Sequence, residues 1–196
     1  MVHKVFFSFH YERDNWRAGQ VRNSGITKSD VESAGFIDAV EWESIQREGD
    51  KAIESWIEKQ MEGTAVTVVL IGAQTANRRW VLHEIKRSAE KGNGLLGIYI
   101  HNVKDMEGKK DSQGKNPFTE CGIEDVPIYD WAEDNGYENF GKWVEAAYQK
   151  ALPKAGKAVG AGAGAAIGAP FGLLGVVIGA AVGYLFGNEV DKESKG

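Results

Sequence analysis

Residues 65 to 71, Ala-Val-Thr-Val-Val-Leu-Ile, hold no charged side chain and consist largely of β-branched residues. A run this short and this apolar reads as a strand covered on both faces. Strands of that kind belong to parallel sheets with helices on either side, so they restrict the chain to the α/β class.

The rest of the N-terminal half fits that class. Val5, Phe6, Phe7 and Phe9 form a first buried strand, with His10 to Arg13 as the loop at its C-terminal end. Residues 14 to 35 are polar and interrupted by Gly19, Gly25 and Gly35, which predicts a short helix and loops. From Asp50, the spacing of Ile53, Trp56, Ile57, Gln60 and Met61 predicts a core-facing helix with Asp50 as N-cap and Gly63 as stop. Asn77 to Lys91 reads as a helix ended by Gly92, and Leu95 to Ile100 as a further strand. Residues 102 to 125 are charged and turn-rich, Val126 to Tyr129 suits a short edge strand, and Tyr137 to Leu152 an amphipathic helix. Alternating strands and helices imply a flavodoxin-like parallel sheet flanked by helices, closing near residue 152.

Composition removes several function classes. The formal net charge of −5 over 196 residues offers no basic face for phosphate backbones, so nucleic acid is not an expected partner. Cys121 is the sole cysteine, and the four histidines show no ligand spacing, so neither an internal disulfide nor a metal site is expected. The apolar run after Met1 is too short for a signal peptide, which points to a cytoplasmic domain.

In an open parallel sheet, ligands bind beyond the carboxyl ends of the strands. Both Ser8 to Arg13 and Gly72 to Glu84 fall there. Of the six tryptophans, only Trp80 has a glutamate four residues later, which sets Trp80 and Glu84 on one helical face. Arg78 and Arg79 are placed to meet phosphates at a helix start, although paired arginines in such a turn are more often solvated. Four histidines in a chain this long make one near the site unremarkable, so His10 and His83 are not read as proton carriers.

Four segments carry a resemblance: Lys-Val-Phe-Phe-Ser-Phe-His-Tyr at 4 to 11, Val-Leu-Ile-Gly-Ala-Gln-Thr at 69 to 75, Asn-Arg-Arg-Trp-Val-Leu-His-Glu-Ile at 77 to 85, and Tyr-Asp-Trp at 129 to 131. Over roughly residues 1 to 150 the chain resembles the TIR-like domain of the Thoeris anti-phage defence system. The resemblance implies an enzyme of the NAD glycohydrolase or ADP-ribosyl cyclase kind. It would cleave NAD at the nicotinamide–ribose bond and make an ADP-ribose-derived signal for a partner effector protein. It also implies Glu84 as the catalytic residue, Ser8, Phe9, His10 and Tyr11 as lining of the nucleotide pocket, and Trp80 as a brace of the site. NAD enters as substrate, with no cofactor and no metal, and neighbouring TIR domains assemble as homo-oligomers.

That resemblance does not extend to the C-terminus. Residues 158 to 188 carry no charge, and glycine recurs at Gly156, Gly160, Gly164, Gly168 and Gly172, then at Gly175, Gly179, Gly183 and Gly187. Glycine at this density costs a lone soluble helix about 1 kcal/mol per position relative to alanine. In a bilayer the same spacing lets helices approach closely. We therefore divide the chain into a TIR-like domain at 1–152, a Gly/Ala-rich apolar helical segment at 153–190, and a polar tail at 191–196. The middle segment reads as a glycine-zipper helix or helical hairpin associated with the membrane, or as a self-packing one.

Lysines 150, 154 and 157 before the segment, and acidic residues after it, keep the domain at the inner face of the cell membrane. Gly160 to Ala165 superficially matches a dinucleotide fingerprint but follows no strand, so it is rejected as an NAD site. A different class of function stays open: a non-catalytic assembly module whose zipper oligomerises and perturbs the membrane.

Overall fold

In the computed structural model, which describes residues 3–26, 31–35 and 39–152, strands and helices alternate along the chain. The order is β1 (His3–Ser8), α1 (Tyr11–Ile26), β2 (Val31–Ala34), α2 (Ala39–Glu48), α3 (Asp50–Gln60), β3 (Val66–Ile71), α4 (Arg79–Lys91), β4 (Gly94–Tyr99), α5 (Pro117–Glu120), β5 (Ile128–Asp130) and α6 (Gly136–Ala151). The strands form one sheet in the order β2-β1-β3-β4-β5, with every neighbouring pair parallel. This is the flavodoxin-like arrangement, whose strand order reverses between β1 and β3.

Strand alternation sorts the core into two layers. Val5, Phe7, Val66, Val68, Leu96 and Ile98 point to the side covered by α1 and α6, where Phe140, Trp143 and Val144 meet them. Phe6 points the other way, onto Ile53 and Ile57 of α3 and Met61 at its C-cap, while Val69 and Ile71 pack on Val81 and Ile85 of α4. Each of these side chains contributes roughly 1.5–3 kcal/mol relative to exposure. The same parity directs Ser8 toward the α3–α4 layer, so a one-residue slip of β1 would replace it there with a phenylalanine.

Helix α4 is held in place at several points. Thr67 Oγ1 donates to Ser88 Oγ at 2.7 Å, and Ser88 Oγ donates to the Glu84 carbonyl at 2.7 Å, both buried. Arg87 pairs with Glu58 of α3. Gly92 ends the helix with φ 76, a left-handed turn in which Asn93 N–H reaches the Ser88 carbonyl at 3.0 Å.

Some expectations need correction. Tyr11 to Arg13 is not loop but the first turn of α1, and residues 14–35 contain a sixteen-residue helix and a strand rather than a short helix and loops. Asp50 is the first helical residue of α3; Gly49 holds the N-cap position without a side-chain cap. A short 3-10 turn at Thr75–Asn77 precedes α4, which begins at Arg79. The glycine-zipper segment at 153–190 and the tail at 191–196 lie outside the described residues. No helix among the described residues is long and apolar enough to cross a membrane.

Candidate active site

Beyond the ends of β1 and β3 the chain diverges, since β1 leads to α1 on one side of the sheet and β3 leads to α4 on the other. A cleft of about 320 Å³ opens at this switch point. One wall is Phe9, His10, Tyr11 and Glu12, which follow β1; the opposite wall is Asn77 to Val81 with Glu84, which follow β3. Gly35, Trp42, Gln46 and Trp56 complete it from β2, α2 and α3.

Glu84 is 8% exposed and lies in the second turn of α4. Ser8, itself buried at the last position of β1, donates its hydroxyl to Glu84 Oε2 at 2.5 Å. Burial pushes the Glu84 carboxyl up to about 8, and the Ser8 hydrogen bond opposes that shift. The free protein at neutral pH therefore holds Glu84 largely protonated. An entering cation would favour its carboxylate form.

Aromatic side chains supply flat surfaces. Tyr11 and Trp42 lie with ring centroids 5.9 Å apart, and Trp42 and Trp56 meet edge-on at 5.9 Å. Trp80 packs against the Phe6, Ile53, Ile57 and Met61 cluster, takes His83 at its edge, and lies beneath the Arg79 guanidinium at 4.6 Å. Trp80 thus braces α4 against α3 while still lining the cleft. Arg79 also pairs with Asp50 at 2.6 Å, and Arg78 reaches Gln74 at 2.8 Å.

The cleft has unmet hydrogen-bonding capacity. Among the described residues, the buried side-chain atoms without a hydrogen-bond partner include His10 Nδ1 and Nε2, Trp56 Nε1 and Arg78 Nε of the cleft, together with Asp14 Oδ1 and Oδ2 and His101 Nδ1 outside it. An unpaired buried polar atom costs roughly 1–3 kcal/mol, so such a cluster marks a place where a ligand would supply the missing partners. No group of three or more His, Cys, Asp or Glu side chains among the described residues could hold a metal ion.

The expected site residues come together. Phe9, His10, Tyr11, Trp80 and Glu84 line the cleft, and Ser8 touches it through Glu84. Sequence reading overlooked Trp42, Gln46 and Trp56. Trp56 shares the helical period of a core face, and Trp42 and Gln46 are four residues apart on α2 without a strand signal nearby. Their spacing did indicate one shared face, but not that this face meets the ends of β1 and β3.

A family model described as Thoeris protein ThsB, TIR-like domain, matches residues 6–105. A protein of Bacillus cereus (strain MSX-D12), named "Putative cyclic ADP-D-ribose synthase ThsB1", is 41% identical over 152 residues, spanning 74% of this chain and 76% of that protein. Among solved structures, the TIR domains of the activated Roq1 resistosome directly recognizing the pathogen effector XopQ share 20% identity. That match covers 76% of this chain and 83% of the other, with a TM-score of 0.37. With the family model spanning half the chain and the relative spanning almost three quarters of it, the chain belongs to the TIR-like domain family of the Thoeris protein ThsB.

Proposed function

We propose that this chain cleaves the nicotinamide–ribose bond of NAD and turns the ADP-ribose portion into a linear or cyclic signal read by a partner effector in anti-phage defence. The observation that carries this reading is Glu84, a buried carboxyl at the end of an aromatic cleft whose polar groups lack partners. The name of the Bacillus cereus relative supports the same substrate class.

NAD suits the cleft chemically. Its pyridinium ring is a cation that leaves as neutral nicotinamide, so no strong general acid is needed. What the reaction requires is an anion beside the ribose carbon as positive charge develops there. The pyridinium approaching Glu84 favours the carboxylate at the moment it is useful. Tyr11, Trp42 and Trp56 offer faces for the flat bases, and Arg78 Nε and Trp56 Nε1 offer donors for carbonyl or phosphate oxygens. NAD is the substrate, and the chemistry calls for no resident cofactor. Nicotinamide release with mass analysis of the second product tests the reading, because the product mass separates hydrolysis from cyclisation and conjugation.

The Glu84 carboxyl also sets a pH profile. Because kcat/KM reports the free enzyme, it rises about tenfold per pH unit through neutrality and levels off above about pH 8. Ser8→Ala removes the hydrogen bond that favours the carboxylate, so the inflection moves to higher pH. A profile that is flat across neutral pH, or an inflection that Ser8→Ala leaves in place, contradicts this role for Glu84.

We also propose that residues 158–188 hold the protein at the inner face of the cell membrane and help copies of the chain assemble. Their lack of charge and regular glycines support this. The full chain is expected to float with lipid vesicles, and a chain ending at residue 152 to remain in the soluble fraction. Equal behaviour of the two removes the membrane role.

A further inference from the structure

We propose that His10 and Glu12 form a proton-accepting pair for the hydroxyl that attacks the ribose carbon after nicotinamide has left. The inference rests on the NAD-cleavage reading and assigns the second half of that reaction.

His10 lies between β1 and α1, across the cleft from the segment that opens α4, and its side chain is only 8% exposed. Neither ring nitrogen has a hydrogen-bond partner. A purely structural histidine in a core satisfies at least one nitrogen, because leaving both unmet is costly. Two unmet nitrogens beside a substrate cleft point to a partner that arrives with the reaction.

Three charged groups bear on the ring. Arg78 from the turn before α4 and Arg13 from α1 disfavour the imidazolium, and burial disfavours it more strongly than either. Glu12 acts the other way, with Oε2 standing 3.7 Å from Nε2. His10 is thus held neutral in the free protein, as a base must be. Glu12 is 68% exposed on its side chain and free to close the remaining distance once the ring gains a proton. The arrangement is that of a base whose far nitrogen faces an orienting carboxylate.

The step balances as follows. The bond from the ribose carbon to the pyridinium nitrogen breaks with both electrons going to nitrogen, which leaves neutral nicotinamide and an oxocarbenium ribose. A hydroxyl oxygen, from water or from the ADP-ribose itself, forms the new C–O bond. Its proton passes to His10 Nδ1, and the imidazolium Nε2–H turns to the Glu12 carboxylate. The proton leaves to water with the product. Glu84 remains a carboxylate throughout, so one residue is not asked both to stabilise the cation and to accept a proton.

The test follows the fate of the intermediate. Full-length protein is incubated with NAD and isotopically labelled nicotinamide, and label entering NAD is compared with final product formed. Without an efficient base the oxocarbenium waits longer for its acceptor, and returning nicotinamide captures more of it. His10→Gln is expected to raise the ratio of exchange to product at least tenfold. Glu12→Gln is expected to raise it by a smaller factor and to move the pH dependence of the ratio to lower pH, because the imidazole loses its carboxylate and with it some basicity.

A ratio in both variants equal to that of the wild type overturns the assignment, whatever happens to the overall rate. Glu12→Gln alters an exposed side chain and keeps the test decisive should His10→Gln fail to fold. If wild-type protein releases no nicotinamide at all, the NAD reading itself fails, an outcome distinct from an unchanged ratio in an active enzyme.

Discussion

Glu84→Gln is expected to lower nicotinamide release from NAD by about a hundred- to a thousandfold while making the protein more stable. The loss follows from removing the anion that faces the developing ribose cation, a kind of contribution commonly worth about 10²–10³ in kcat for a single electrostatic partner. The gain in stability follows from the cost of keeping a carboxyl in a dry place. Glu84 has an ordinary value of 4.5 when exposed and is raised to about 8 in the fold. Between those values the folded protein keeps a proton that the unfolded chain gives up. Wild-type stability therefore falls as pH rises through that window and flattens above it. Glutamine has no such titration, so the advantage of the variant widens from pH 4.5 to about 8 and reaches a few kcal/mol. Nicotinamide release and denaturant unfolding at pH 5 and pH 8 check both halves. A variant that retains the wild-type rate would falsify the assignment of Glu84.

Gly72→Ala is expected to destabilise the fold by about 3 kcal/mol, the upper part of the usual range for overpacking. Gly72 follows β3 and opens the turn that leads to Arg78 and Trp80. A Cβ there would lie 2.2 Å from Asp14 Oδ2, and Asp14 is fully buried. Asp14 has little room to retreat, because α1 is tied down around it. Arg13 grips Asp111 at 2.7 Å, and Arg17 donates to the Val103 carbonyl at 2.9 Å. From the other side, a Cβ at Gly114 would meet the Gly72 carbonyl oxygen, so the segment is clasped between α1 and the 101–116 loop.

Thermal unfolding should show a fall in Tm of about 6–12 °C for a domain of this size. Adding Asp14→Ala should recover much of it, since that change removes the clashing carboxylate, which has no hydrogen-bond partner. A Tm for Gly72→Ala within about 2 °C of wild type, or a double variant no better than the single, shows that the contact is not the constraint.

Much of the architecture was legible in short stretches. The runs around Val5–Phe7, Val66–Ile71 and Leu96–Ile98 announce strands because nothing in them can face water. Gly92 announces the end of α4 because a left-handed turn favours glycine. The motif at 77–85 placed Glu84 on the face of Trp80, and the family comparison bears out the resemblance drawn from it. β2 escaped notice because Val31-Glu-Ser-Ala34 is a four-residue edge strand, paired on one side only, and so needs no apolar run. The length of α1 was hidden by Gly19 and Gly25, whose low helical propensity is overridden by the burial of Ala18 and Val21 against the sheet.

What the sequence by itself determined is therefore whatever depends on neighbours along the chain: the strand runs, the helical faces, the parity that turns Ser8 away from Phe7, and the pairing of Trp80 with Glu84. Tertiary structure alone decided the convergence of distant segments. Ser8 reaches Glu84 across 76 positions, Trp42 and Trp56 swing over the ends of β1 and β3, and His10 and Arg78, which line one cleft, are left with unpaired buried nitrogens. The reason is physical. Periodicity records which side of an element avoids water, whereas the distance between two elements, and the burial that raises the Glu84 carboxyl, exist only once the sheet has ordered its strands and closed its layers.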